Sequence, residues 1–174
     1  MSSERFRIAA SLPAQPRIAL TVLAINAKKR LDARQSGGEP LPPLVGVITS
    51  PHGVVRAAAI AVISRHLGAP VQRVDWTRLF SRYAHETELN LERMFSAAEH
   101  AGVLLLFDEA DALFGRQEQA FDKEAREANT SALLSRIARF DGPLLFTASH
   151  RRNLDPRLIA FADSLIDLTG ADSK

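Results

Sequence analysis

Two hydrophobic periods alternate along this chain. Short strand-like segments stand at Leu44-Val45-Gly46-Val47-Ile48-Thr49, Val71 to Trp76, Gly102-Val103-Leu104-Leu105-Leu106-Phe107, Pro143 to Thr147 and Ser164 to Leu168, the first and third of them almost wholly apolar. They are flanked by turn residues and read as strands, the first buried on both faces. Between them the spacing is helical. The pattern predicts helices over about 16–34, with Ile18, Val22, Ile25 and Leu31 as its stripe, and from about Val54 to His66. Thr87 is placed to cap a third helix whose Leu91, Met94, Phe95 and Ala98 recur at i, i+3, i+4 and i+7. A fourth carries Leu133, Leu134, Ile137 and Phe140 and ends at Asp141-Gly142, and a short one follows Asp155-Pro156. Parallel strands need a crossover, usually a helix, so this alternation predicts an α/β fold: a parallel sheet with helices on both faces.

The run Gly37-Gly38-Glu39-Pro40-Leu41-Pro42-Pro43 breaks regular structure. It divides the expectation into a basic N-terminal helical segment (1–36), a Gly/Pro linker (37–43) and an αβα core (44–170). A hydrophobic fraction of 46% against 24% charged residues excludes a disordered chain. No apolar run approaches the ~20 residues of a membrane span, and MSSERFRIAA lacks a secretory pattern. The absence of cysteine excludes a disulfide framework, a thiol nucleophile and Cys-ligated zinc, and a cytoplasmic location fits. The net charge of +2 is small, but residues 1–35 hold seven basic and two acidic side chains. A basic helix can meet nucleic acid; with no aromatic interleaving to support it, nucleic acid is not the expected partner. His52, His66, His85, His100 and His150 lack zinc-ligand spacing.

Ligands of such sheets bind beyond the carboxyl ends of the strands. Two segments fall there, 50–57 after the first strand and Asp108-Glu109 after the third. An apolar strand ending in Asp-Glu suits nucleotide hydrolysis, the Asp holding Mg²⁺ and the Glu polarising a water. With Ala110-Asp111-Ala112-Leu113-Phe114-Gly115 added, the run LLLFDEADALFG resembles the AAA-type P-loop ATPases, and the resemblance extends over residues 44–168. Ser81-Arg82-Tyr83 with Glu86-Thr87-Glu88 and Asn90-Leu91-Glu92-Arg93 is similar to the family's first pore loop and the helix after it. Arg82 and Tyr83 therefore take pore-loop-like positions. Asn153-Leu154-Asp155-Pro156 is similar to the turn after the fourth strand. Ala128-Asn129, Leu133-Leu134, Asp141-Gly142 and Asn153-Leu154-Asp155 together resemble the ATPases of phage-tail-like contractile injection systems. The resemblance implies a three-layer P-loop NTPase-like core, a five-stranded, mostly parallel sheet of order 5-1-4-3-2, and no sequence after it for the family's helical lid.

The departures from the family pattern carry the functional expectation. A phosphate loop reads G-x-x-x-x-G-K-[ST]; here the stretch is Ser50-Pro51-His52-Gly53-Val54-Val55-Arg56-Ala57. Val55 puts a β-branched side chain where the wrap around phosphate needs glycine. Arg56 replaces a point charge with a planar fork, and Ala57 lacks the hydroxyl that binds Mg²⁺. Arg56 is expected to occupy the vacated phosphate position and pair with Asp108 or Glu109. Ser149 aligns with a polar sensor position. Ala160 and Phe161 align with the arginines that reach a neighbour's nucleotide, with Arg151, Arg152 and Arg157 nearby.

The preferred expectation is a degenerate core that binds no cofactor and serves as an interaction module. Its partner is an active AAA ATPase or a component of a contractile injection system; homo-oligomerisation stays open. Tyr83 is then a surface or contact residue, Trp76 a core residue, and Gln117 to Glu127 a polar loop or partner-binding element. The alternatives are an active ATPase that uses ATP and Mg²⁺, with Asp108 as metal ligand, and a nucleic-acid adaptor acting through the basic helix.

Overall fold

A computed structural model describes residues 12–111 and 122–170. Helix α1 (Ala14–Gln35) leads to β1 (Leu44–Thr49), α2 (Gly53–Leu67), β2 (Val71–Arg73), α3 (Ala84–Ala101) and β3 (Leu104–Phe107). Then come α4 (Lys123–Ala138), β4 (Pro143–Ala148), α5 (Pro156–Ala160) and β5 (Ser164–Asp167), with single 3₁₀ turns at Trp76–Arg78 and Arg151–Asn153. The five strands form one parallel sheet of order β2-β3-β4-β1-β5, which is the expected 5-1-4-3-2 read from the other edge.

Alternation along each strand divides the core in two. Val45 and Val47 of β1, Leu105 and Phe107 of β3, and Leu144 and Phe146 of β4 face α3 and α4, where Leu91, Phe95, Leu133 and Ile137 complete one cluster. Phe107 and Phe146 stack at 4.6 Å between ring centres. Ile48, Leu104, Leu106, Leu145 and Ile166 face the other way, onto α1 and α2. Gly46 lets α1 approach β1 closely, since a Cβ there would lie 2.5 Å from a Leu23 methyl.

The N-terminal helix is thus a layer of the core. Leu20, Leu23, Ala24, Ala27 and Leu31 are its buried residues, whereas Ile18, Val22 and Ile25 of the expected stripe are exposed. Both sets recur at helical spacing, and the sheet takes the one offset by about half a turn. The end of α1 and the chain after it are fastened at the opposite end of the sheet from the site. Arg34 donates to the Glu99 carbonyl (3.0 Å) and to the Asp141 carboxylate (2.8 Å), and the Leu41 N–H donates to the same carboxylate.

Three local expectations need correction. The second strand stops at Arg73, and Trp76 opens a 3₁₀ turn instead of ending the strand. Tyr83, not Thr87, is the N-cap of α3. Thr87 is buried in the first turn, where its hydroxyl accepts from the Ser81 N–H (2.9 Å) and donates to Asn129 (2.7 Å). The fourth helix ends at Ala138, with Phe140 buried just beyond it. Residues 117–121 of the polar segment, and residues 112–115 of the LLLFDEADALFG run, lie outside the described residues. Within the segment Asp122 caps α4, accepting from the Ala125 N–H (2.8 Å), and the rest of it to Glu127 is helical.

Candidate functional site

Parallel pairing brings the carboxyl ends of β1, β3 and β4 to one rim of the sheet. β3 pairs Phe107 with Phe146, so Asp108 leaves the sheet beside Thr147; β1 pairs Thr49 with Ala148, so Ser50 emerges next to Ser149. Each segment singled out from the sequence, 50–57, Asp108-Glu109 and Ser149, therefore reaches the same rim.

The loop after β1 is compact. Ser50 is buried, its N–H donates to the Ala148 carbonyl (3.0 Å), and its hydroxyl accepts from the His52 N–H (3.2 Å). His52 caps α2, and Pro51, His52, Gly53 and Val54 are exposed around the turn. Val55 is buried in the core cluster beneath α1 and α2, and Ala57 is half-buried. Arg56 is also buried, with 8% of its surface exposed. Its guanidinium donates to the Ser50 carbonyl at 2.7 Å and meets Glu109 Oε1 at 3.3 Å, while its Nε finds no hydrogen-bond partner. The expected pairing of Arg56 with a carboxylate of the Asp-Glu pair is present, and the partner is Glu109.

Asp108 has a different arginine. Arg73, at the end of β2, places Nη1 2.5 Å from Asp108 Oδ2. The other oxygen of Asp108 accepts from the Thr147 hydroxyl, and the Asp108 carbonyl accepts from the Trp76 indole N–H at 3.2 Å. Thr147 works in both directions, since its oxygen also accepts from the Glu109 N–H (3.1 Å). That bond helps hold Glu109 at φ 55°, a left-handed backbone that costs a non-glycine residue about 1–2 kcal/mol. Each carboxylate of the pair thus faces a guanidinium carried by a neighbouring element.

Ser149 is turned toward Asp111, to which both its N–H (2.9 Å) and its hydroxyl donate. Asn153 adds a longer contact to the same oxygen. Burial pushes the Asp111 carboxyl up, but the bonds from Ser149 and Asn153 outweigh it and hold the group below its ordinary value. Tyr83 is 63% exposed, and Arg82 is exposed beside it. Arg157 is engaged by its own chain, pairing with Asp155 (2.8 Å) and Glu127 (2.5 Å), whose hydrogen bonds raise its already high pKa. Arg151 and Arg152 are exposed on their 3₁₀ turn.

Sequence reasoning missed Arg73, Thr147 and the indole of Trp76. Thr147 left a trace, as the one hydroxyl inside the apolar run Pro143 to Ala148. Arg73 left none, because one arginine at a strand end looks like any solvated charge. Trp76 joins the core as expected by packing on Phe107 (4.7 Å between ring centres), yet its N–H serves the site. Among the described residues no group of three or more His, Asp or Glu side chains is placed to hold a metal ion. No described helix is long and apolar enough to cross a membrane.

Comparison with known proteins bears on the family and the fold. The chain is 34% identical over 85 residues to "Uncharacterized AAA family ATPase y4kL" of Sinorhizobium fredii (strain NBRC 101917 / NGR234), a match over 48% of this chain and 26% of the relative. The matched part is thus about a quarter of that relative's length. Among solved structures it is similar to a chain in the "Structure of E. coli MS115-1 HORMA:CdnC:Trip13 complex". The TM-score is 0.60 at 18% identity, over 96% of this chain and 66% of that one, a likeness of fold. The model of the ATPase family associated with various cellular activities (AAA) matches residues 47–169, and the chain belongs to that family.

Proposed function

We propose that this AAA core is degenerate, does not hydrolyse ATP, and acts as an interaction or regulatory module for a protein partner. An active AAA ATPase or a component of a contractile injection system is the partner that the sequence resemblance favours. The observation that carries the reading is Arg56, whose buried guanidinium runs from the Ser50 carbonyl to Glu109 across the turn at the start of α2.

The nucleotide and Mg²⁺ that the family implies do not fit this donor set. A phosphate loop needs backbone N–H groups that converge on the ligand and a side chain free to meet its charge. Here the one cation of the loop is already bonded at both ends within the chain. The residue after it, Ala57, has no oxygen for a metal. Asp108, the family's metal-side carboxylate, is paired with Arg73 and bonded to Thr147. Asp108 and Glu109 thus anchor arginines. Val55, which stands at the family's second glycine, is packed in the core as part of α2.

The test is calorimetric. MgATP titrated into the purified chain gives no heat of binding up to millimolar nucleotide, and Glu109→Gln behaves as the parent chain does. A micromolar dissociation constant would favour the active-ATPase alternative and overturn the statement that nucleotide does not fit; nucleotide trapped by Glu109→Gln would overturn the proposal as a whole.

A further inference from the structure

The open edge of the sheet carries a feature that the rim chemistry does not use. β2 pairs only with β3 among the described residues, so its other side is unpaired. Leu104 donates to the Pro70 carbonyl and Val74 donates to Leu106. In a parallel ladder this alternation turns the N–H and C=O of Arg73 toward the open side. Beside that edge, between β2, the 3₁₀ turn and α3, runs a groove of about 410 Å³. Leu79 and Met94 give it an apolar floor, Asn90 lines one wall, and Arg73, Arg78 and Arg93 stand around it. Asp75 is the one carboxylate in the lining and lies 3.4 Å from Arg78. Arg93 makes no ion pair among the described residues, and Arg78 and Arg73 have side chains 87% and 65% exposed.

We propose that this groove docks an extended, acidic segment of a partner protein, which adds to the edge of β2 and places carboxylates against Arg78 and Arg93. Three features support the assignment together. An unpaired strand edge offers main-chain hydrogen bonds to an incoming strand, the apolar floor takes alternate side chains, and the arginines select acidic residues over basic ones. The inference rests on the reading of the chain as an interaction module and names the chemistry of its partner. Arg73 ties the groove to the rim, since the same guanidinium that lines the groove neutralises Asp108. An acidic occupant competes with Asp108 for that charge, so filling the groove loosens the rim.

The experiment is fluorescence anisotropy with a labelled dodecapeptide alternating glutamate and valine. It is compared with a peptide carrying lysine for glutamate and with a twelve-nucleotide single-stranded DNA. The acidic peptide saturates in the micromolar range, the lysine peptide does not bind, and Arg93→Glu weakens the acidic peptide by about tenfold or more. Amide resonances of Gln72 to Asp75 move on binding. Asp108→Asn, which releases Arg73, tightens the peptide by about threefold. The proposal is overturned by an absence of saturation up to millimolar peptide, by unchanged affinity in Arg93→Glu, or by DNA that binds more tightly than the peptide. Unchanged affinity in Asp108→Asn overturns the link to the rim. MgATP titrated into the same samples keeps the two readings apart. Nucleotide binding beside intact peptide binding refutes the reading that nucleotide does not fit the rim and supports the groove; silence from both ligands refutes the groove alone.

Discussion

Replacing Arg56 by Met removes a buried guanidinium while keeping most of the side chain's apolar length. The two bonds of that guanidinium differ in worth. The Ser50 carbonyl lies 2.7 Å away in a residue with 0% exposure, so losing the donor leaves a buried acceptor unpaired, at a cost of about 1–3 kcal/mol. The Glu109 carboxylate is 3.3 Å away and 58% exposed, so solvent screens it and the pair contributes about 0–1 kcal/mol. Relief of the unpartnered Nε offsets part of the loss. Arg56→Met is therefore expected to lower the unfolding free energy by about 1–2 kcal/mol. Glu109→Gln should lower it by less than about 0.5 kcal/mol, with a coupling in the double-mutant cycle of at most about 1 kcal/mol. Urea unfolding of the four proteins measures this from the midpoints, provided the slopes agree. Repeating the cycle in high salt should shrink the coupling and leave the Arg56→Met cost in place. If Glu109→Gln cost as much as Arg56→Met, or the coupling exceeded about 2 kcal/mol, the ion pair would be the main support and the argument from burial would fail.

Other consequences are open to measurement. Thr147→Val deprives both the Glu109 N–H and Asp108 of a partner at a fully buried position, and should cost about 1–3 kcal/mol in chemical denaturation; a neutral result would mean that the turn at Glu109 holds without it. The Asp111 carboxyl titrates below its unfolded value of 3.8 in the native chain, so its stabilisation is fully present above about pH 4 and is lost as pH falls through the lower native value. Asp111→Asn should flatten the acid limb of the stability profile below about pH 4 and leave the slope from about pH 5 to 7 unchanged, as followed by thermal melts across that range. Leu23→Ala, beneath α1 and against Gly46, should cost about 2–5 kcal/mol; a cost below about 0.5 kcal/mol, the range of a surface substitution, would show that the helix is an appendage after all.

Much of the architecture was legible because the central strands β1, β3 and β4 declare themselves by mostly apolar runs, and a parallel sheet needs little else to fix its strand order once the family is recognised. The rim was legible at Arg56 and Glu109 for a chemical reason: a large cation in place of lysine, next to a conspicuous carboxylate, has few other partners. Arg73 was not legible, because its role follows from the pairing of Arg73 with Leu106 at the end of β3. Strand register is not written in a three-residue strand. The face of α1 was misread for a similar reason. Leu31 of the expected stripe is buried, but Ile18, Val22 and Ile25 are as apolar as Leu20 and Leu23, and periodicity alone does not decide which set the sheet covers. Leu23 against Gly46 decides it by close approach, which only the folded chain displays. Thr87 shows the limit of capping signals, since a hydroxyl at a helix start can serve a contact with Asn129 as readily as a backbone N–H.

Arg34 has a wider effect than its two bonds suggest. It leaves α1 on one side of the sheet and grips Glu99 and Asp141, which belong to the side covered by α3 and α4. Glu99 is itself held by Arg136, whose guanidinium lies 5.0 Å from the centre of the Phe95 ring. The two hydrophobic slabs are thereby riveted to each other around the rear of the sheet as well as through it. Neither slab can peel off alone without stripping that rivet, so α1 and α4 should exchange their amide hydrogens in a single concerted opening.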